Sequence, residues 1–110
     1  MVKVVKFGGS SLASAEQFMK VGNIIRTDET RKYVVPSAPG KRNSKDTKVT
    51  DMLYACYALA DEGQDFRVQL MKIKDRYDSI INGLQLKITL DEEFKTISQK
   101  FKEKAGVDYA

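Results

Sequence analysis

The sequence predicts an α/β fold in which a parallel sheet is opened and then followed by helices alone. Three observations carry this. Val2 to Phe7 is a short β-rich run that stops at Gly8-Gly9, and Lys32-Tyr33-Val34-Val35 is a second such run, closed by Pro36. Between them, and again through the second half, apolar residues recur at the three-and-four spacing of a helix rather than the alternation of a strand. Strand, helix, strand in that order is the start of a right-handed βαβ unit, the repeating piece of a parallel sheet.

Taken along the chain, the first strand ends in a glycine turn, and Ser14-Ala15-Glu16-Gln17 then has the capping-box pattern, Ser as N-cap and Gln three residues on. Phe18, Val21, Ile24 and Ile25 give the helix that follows an inward face, and the polar cluster from Thr27 to Thr30 stops it. After the second strand, residues 37–48 are polar, with Pro39-Gly40 as a breaker and Lys41, Arg42, Lys45 and Lys48 as a basic cluster; a mobile loop is expected. Thr50-Asp51 reads as an N-cap with a first-turn acid for a helix bearing Leu53, Cys56, Leu59 and Ala60 and ending near Gly63. Leu70, Ile73, Tyr77, Ile80 and Ile81 mark the next helix, ending at Gly83. Thr89-Leu90-Asp91-Glu92 repeats the capping-box signature and opens a last helix, with Phe94, Ile97 and Phe101 inward, running to about Gly106. The charged runs Lys72-Ile73-Lys74-Asp75-Arg76 and Lys100-Phe101-Lys102-Glu103-Lys104 read as solvated helical faces.

At 110 residues the chain is one domain at most, with a modest core. Two parallel strands cannot bury both faces and both edges of a sheet, so an incomplete domain is expected: residues 1–50 as strand, helix and strand with their loops, and residues 51–110 as a helical segment. No apolar run is long enough to cross a bilayer, and Met1 to Val5 lacks the apolar core and cleavage site of a secretory signal. Cys56 is the single cysteine and histidine is absent, which excludes an internal disulfide and argues against a zinc site; a reducing compartment, the cytoplasm, is expected. The net charge of +4 is compatible with an anionic partner, a nucleotide or a nucleic acid.

The residues with chemical potential cluster at the ends of the two strands. Without a Cβ, Gly8 and Gly9 allow close backbone approach and positive φ, and their amides, with the start of the following helix, present partial positive charge to an anion. Lys6 adds an ammonium, and Ser10 and Ser11 add hydroxyls. Neither the P-loop spacing nor Gly-x-Gly-x-x-Gly is present, so on spacing alone a plain turn and a phosphate turn both stand. Ser37-Ala38-Pro39-Gly40 leaves the second strand at the edge where such sheets bind ligands; Ser37 is either a ligand contact or a turn residue satisfying its own backbone. Asp75, Asp91 and Glu92 read as solvated acids.

Lys6-Phe7-Gly8-Gly9-Ser10-Ser11, then Val34-Val35-Pro36-Ser37-Ala38-Pro39-Gly40, then Val49-Thr50-Asp51-Met52-Leu53, in this order and on these elements, closely resemble the aspartokinase branch of the amino acid kinase family. The resemblance covers the first half of the chain, and the later helices resemble the family's helical stretch in character. It implies the amino-terminal portion of a three-layer αβα, carbamate kinase-like fold, and phosphorylation of L-aspartate by ATP with Mg²⁺. By the same resemblance Lys6 would steady the transferring phosphoryl group, Gly8, Gly9 and Ser10 would hold phosphate, and Ser37 and Thr50 would line the aspartate side. It implies no metal ligand among these residues, a homo-oligomeric parent enzyme, and neither nucleic acid nor membrane as partner. An ionised β-carboxylate attacks phosphorus without a base, so the missing histidine is no obstacle. The sequence departs from the family in a longer, more basic spacer between Gly40 and Thr50. It also lacks the glycine-glutamate motif, the substrate-binding arginine, the adenine-side residues and the ACT domains, which lie further along a longer chain. For these reasons the 110 residues alone are expected to be inactive. A glutamate or acetylglutamate kinase is the alternative within the family, with Ser10-Ser11 and Thr50-Asp51 favouring aspartate. Two other readings are a small basic RNA-binding module built on Lys41, Arg42, Lys45 and Lys48, which lacks interleaved aromatics, and a truncated product whose exposed helices self-associate.

Overall fold

The structure is a computed structural model and describes residues 2–105. Strand β1 (Lys3–Phe7) and strand β2 (Arg31–Pro36) form a two-stranded parallel sheet, with Val5 beside Val34, Lys6 beside Val35 and Phe7 beside Pro36. The register slips once, between Lys3 and Val4, where Lys32 is the extra residue on β2. Helix α1 (Ala15–Arg26) connects them, and α2 (Val49–Asp61), α3 (Arg67–Gly83) and α4 (Asp91–Ala105) follow. This is the α/β order expected, and the later half adds no strand among the described residues.

Local chemistry explains most of the boundaries. Ser14 is the N-cap of α1, its hydroxyl accepting from the Gln17 amide at 3.4 Å, as the capping box requires. Between α1 and β2, Asp28 accepts from the Thr30 amide and hydroxyl and from Lys3 Nζ at 2.7 Å, which ties this turn to the first residue of β1. The Lys3 ammonium, followed by the Thr30 donors, holds the Asp28 carboxyl below the usual carboxylate range. Gly63, at φ 70°, ends α2 in a Schellman motif: its amide bonds to Ala60 O and that of Gln64 to Leu59 O.

A short 3₁₀ turn, Gly9–Leu12, leads from the second glycine toward α1, which starts after the Ser14 cap as expected. Two expectations are corrected. Thr50 is not an N-cap: Lys48 occupies that position, extended, and buried Val49 already begins the helix. Helix α3 ends at Gly83 as expected, and Gln85 is the left-handed residue beyond it at φ 57°, with its own amide on Asn82 O and that of Leu86 on Ile81 O; Gly83 also serves close packing, since a Cβ there would fall 2.5 Å from Ala15 Cβ. At α4 the Thr89 hydroxyl accepts from the Asp91 amide two residues on, rather than from Glu92 three residues on. The predicted helix limit at Gly106 lies outside the described residues.

The core belongs to the helical half. Val49, Met52, Cys56, Ala60, Phe66, Leu70, Ile73 and Phe94 form one buried cluster, with Tyr77, Ile97 and Phe101 half-buried against it. Phe66 meets Phe101 with ring centres 5.3 Å apart, and Tyr77 meets Phe94 edge-on at 6.1 Å. The sheet has no such cover. Val4 is 67% exposed and Tyr33 62%, and Val34 and Val35 are exposed beside them, which is what two parallel strands without further layers must show. Ile24 of α1 is exposed too, against its expected inward position. The radius of gyration is 16.3 Å, against about 13 Å for a compact domain of this length. No helix among the described residues is long and apolar enough to cross a membrane.

Cys56 gives a direct probe of this core. Its thiol is fully buried, and desolvation pushes its pKa up to about 11. Iodoacetamide at pH 8 is therefore expected to alkylate it only as the helical half unfolds, so that labelling follows the denaturant curve of the α2–α4 cluster. Rapid labelling of the folded chain would contradict the packing described here.

Candidate active site

The two strands deliver two loops to one edge, and a backbone hydrogen bond joins them. The Gly40 amide donates to Gly9 O at 2.8 Å and the Ser37 amide to Phe7 O at 3.1 Å, which continues the sheet's pairing beyond β2. Gly9 and Gly40 meet face to face. A Cβ on Gly40 would lie 2.6 Å from the Gly9 carbonyl carbon, and one on Gly9 would lie 3.0 Å from Ala38 O, so both glycines are required by close approach. Neither Gly8 nor Gly9 has positive φ, contrary to that part of the expectation; Gly8 is extended at φ −76°. A Cβ on Gly8 would meet no atom within 4 Å.

The loops enclose a cleft of about 520 Å³ lined by Gly9, Ser10, Ser37, Gly40, Lys48 and Thr50, among others. Four of the predicted site residues, Gly9, Ser10, Ser37 and Thr50, thus share one cavity, although Thr50 lies 41 residues after Gly9. Ser10, Ser37 and Thr50 are solvent-exposed within it. Thr50 arrives from the first turn of α2, whose entry is fixed by the Val49 amide donating to Pro39 O at 3.0 Å. Lys41, Lys48 and Asp51 complete the rim, which therefore mixes two ammonium groups with one carboxylate. Gly8 precedes the lining residues, and Lys6 lies on β1 two residues earlier, exposed and outside the lining; no hydrogen bond or ion pair engages Lys6 among the described residues.

The loop between Gly40 and Val49 is bonded, not loose. Asp46 accepts from the Arg42 amide at 3.0 Å, from Nε at 2.6 Å and from Nη2 at 3.1 Å. The Arg42 guanidinium, before any other group, holds the Asp46 carboxyl well below the usual carboxylate range. Arg42 thereby spends its charge within the loop. Behind it lies Arg76 of α3, only 5% exposed, which donates to Thr47 O, Gly40 O and Ala13 O and stands 3.6 Å from Asp46. Its burial overturns the reading of residues 72–76 as a uniformly solvated face. A signal for it existed: Ile73, Arg76 and Ile80 fall on one helical stripe, so Arg76 shares the apolar face of α3.

No protein-family model matches the sequence. Aspartokinase 3 of Bacillus subtilis (strain 168) is 45% identical over 97 residues, covering 86% of this chain. The crystal structure of Clostridium acetobutylicum aspartate kinase superposes with a TM-score of 0.86 at 41% identity, over 96% of this chain. Both are kinases, so the α/β segment with its two-loop cleft is related to that class of enzyme. More particularly, over the segment it covers the chain is similar to the aspartokinases, as its three sequence segments indicated. It spans 21% of the length of the Bacillus relative and 24% of the Clostridium chain.

Proposed function

We propose that this chain supplies the phosphate-holding turn and the acceptor-side loop of an aspartate kinase, within the first part of a three-layer αβα amino acid kinase fold. The carrying observation is the single cleft shared by Gly9 and Ser10 on one side and Ser37 and Thr50 on the other. The relatives' names supply the chemistry to be read into it. In the reaction, an oxygen of the L-aspartate β-carboxylate forms a bond to the γ-phosphorus of ATP as the bond to the ADP oxygen breaks, giving 4-phospho-L-aspartate. The acceptor is ionised at neutral pH, so positioning and charge neutralisation are what the protein must provide.

In this reading Gly8, Gly9 and Ser10 hold phosphate, with the open side of Gly8 admitting it closely, and Lys6 places its ammonium against the transferring group. Ser37 and Thr50 donate hydroxyls to aspartate. Magnesium arrives with ATP as part of the nucleotide substrate. Residues 1–50 carry the two loops and residues 51–110 the helical support. The place of the activity is the cytoplasm, in a homo-oligomeric enzyme of lysine, threonine and methionine synthesis.

The test is a titration of the chain with pyrophosphate, followed by amide resonances. Shifts confined to Gly8, Gly9 and Ser10 and their neighbours across the cleft are expected, without ATP turnover by these 110 residues. Shifts spread over the lysine-rich faces of α3 and α4 instead would overturn the assignment, and so would aspartate-dependent turnover by the 110 residues overturn the claim that they form only part of the site. Gly8→Ala is expected to leave stability within about 0.5 kcal/mol, since its Cβ meets nothing, while weakening pyrophosphate about tenfold.

A further inference from the structure

One guanidinium ties together three stretches of backbone behind the cleft. Arg76 Nη1 donates to Thr47 O at 2.9 Å, and Nη2 donates to Gly40 O at 2.7 Å and to Ala13 O at 3.3 Å. Ala13 follows the glycine turn, while Gly40 and Thr47 both lie in the loop that leads from β2 into α2. Gly40 is held from both sides, its amide by Gly9 O and its carbonyl by Arg76. Asp46 and Arg42 face the guanidinium from the loop and Tyr77 from its own helix. A planar fork aims several donors in fixed directions at once, which the single rotating ammonium of lysine cannot do.

We propose that Arg76 is a positioning residue for the cleft: it fixes the separation of the glycine turn from the Ser37 and Thr50 side, and so the approach of acceptor to phosphoryl group. This rests on the phosphate-and-aspartate reading of the cleft given above. Helix α3 thereby acts on the site through backbone carbonyls, without touching a substrate.

The experiment compares the unsubstituted chain with Arg76→Lys and Arg76→Ala by amide hydrogen exchange and pyrophosphate titration. Loss of the fork is expected to speed exchange at the Gly40 and Val49 amides about tenfold, while the Leu70 and Phe94 amides of the helical core change less than about threefold. Pyrophosphate should bind about fivefold more weakly to both variants. Guanidinium ion at about 50 mM should restore Gly40 protection in Arg76→Ala, where ammonium at the same concentration does not. Equal acceleration in loop and core without rescue overturns the positioning role, as does selective loosening with pyrophosphate affinity unchanged. Where a variant fails to fold, the unsubstituted chain decides: its Arg76 Nη–H resonances should shift as pyrophosphate saturates, and fixed resonances overturn the proposal. A chain that shows no pyrophosphate effect at all contradicts the phosphate reading itself, and the exchange data then still report whether Arg76 clamps the loops.

Discussion

Arg76→Met is expected to destabilise the chain by about 3–5 kcal/mol, the usual loss when one partner of a buried charged network is removed. Methionine matches much of the side chain's volume, so the effect isolates the polar contacts. Three carbonyls, on Ala13, Gly40 and Thr47, lose their donor in a place where Arg76 itself is 5% exposed, and Asp46 loses a neighbouring positive charge. Denaturant unfolding at neutral pH measures it; a change under about 1 kcal/mol would show that water replaces the guanidinium freely. The same network sets an acid limit. Asp46 has a depressed carboxyl pKa in the folded state, chiefly through Arg42, so its stabilising contribution is complete above the ordinary carboxylate pKa of about 4 and is lost as pH falls below that value. Stability should accordingly decline on acidification below about pH 4, and Asp46→Asn should remove that part of the decline.

Lys6→Met is expected to lower kcat by about 10²–10³, measured in an enzyme in which this chain replaces the corresponding segment of the Clostridium acetobutylicum aspartate kinase. A preorganised cation near a transferring phosphoryl group acts mainly in the transition state, so KM for aspartate should move far less than kcat. Lys6 is exposed on β1 and engages no partner among the described residues, so the folded chain should lose no more than about 0.5 kcal/mol. This separates it from Arg76, whose loss acts on structure first. A fall in kcat of less than about tenfold would remove Lys6 from the phosphoryl-transfer role.

The elements were legible because their signals are local. β-Branching marks Val4-Val5 and Val34-Val35, Ser14 and Gln17 sit three apart as a cap requires, and the inward stripe of α3 repeats with helical period. The meeting of Ser10 with Ser37 was legible by topology, since parallel strands release their loops at one edge, whereas Thr50 was expected there only from the family resemblance. What failed depended on distant contacts. The partners of Arg76 lie 29, 36 and 63 residues away, so a window around residue 76 shows its place on the apolar stripe but not the carbonyls that receive its donors. The basic loop was expected to be mobile for the same reason, its anchors being a carboxylate within it and an arginine on another helix. Gly83 ends α3 as its sequence suggested, but only the packing of α1 against it shows why a glycine stands there, and Thr50 resembled a cap until buried Val49 drew the helix start back to Lys48. The glycine pair was expected to admit a ligand closely; within the chain it is Gly40 that approaches Gly9, Gly8 stands open, and no positive φ is used.

The most direct measurement of the central claim is the acceptor preference of the enzyme carrying this chain in place of the Clostridium segment. Acyl phosphate trapped with hydroxylamine, with L-aspartate, L-glutamate and N-acetyl-L-glutamate offered in parallel, reads it. The account predicts ATP-dependent product with aspartate, greatly reduced when Ser37 or Thr50 is replaced by alanine; product from glutamate in preference to aspartate, or full activity in those two variants, would contradict it.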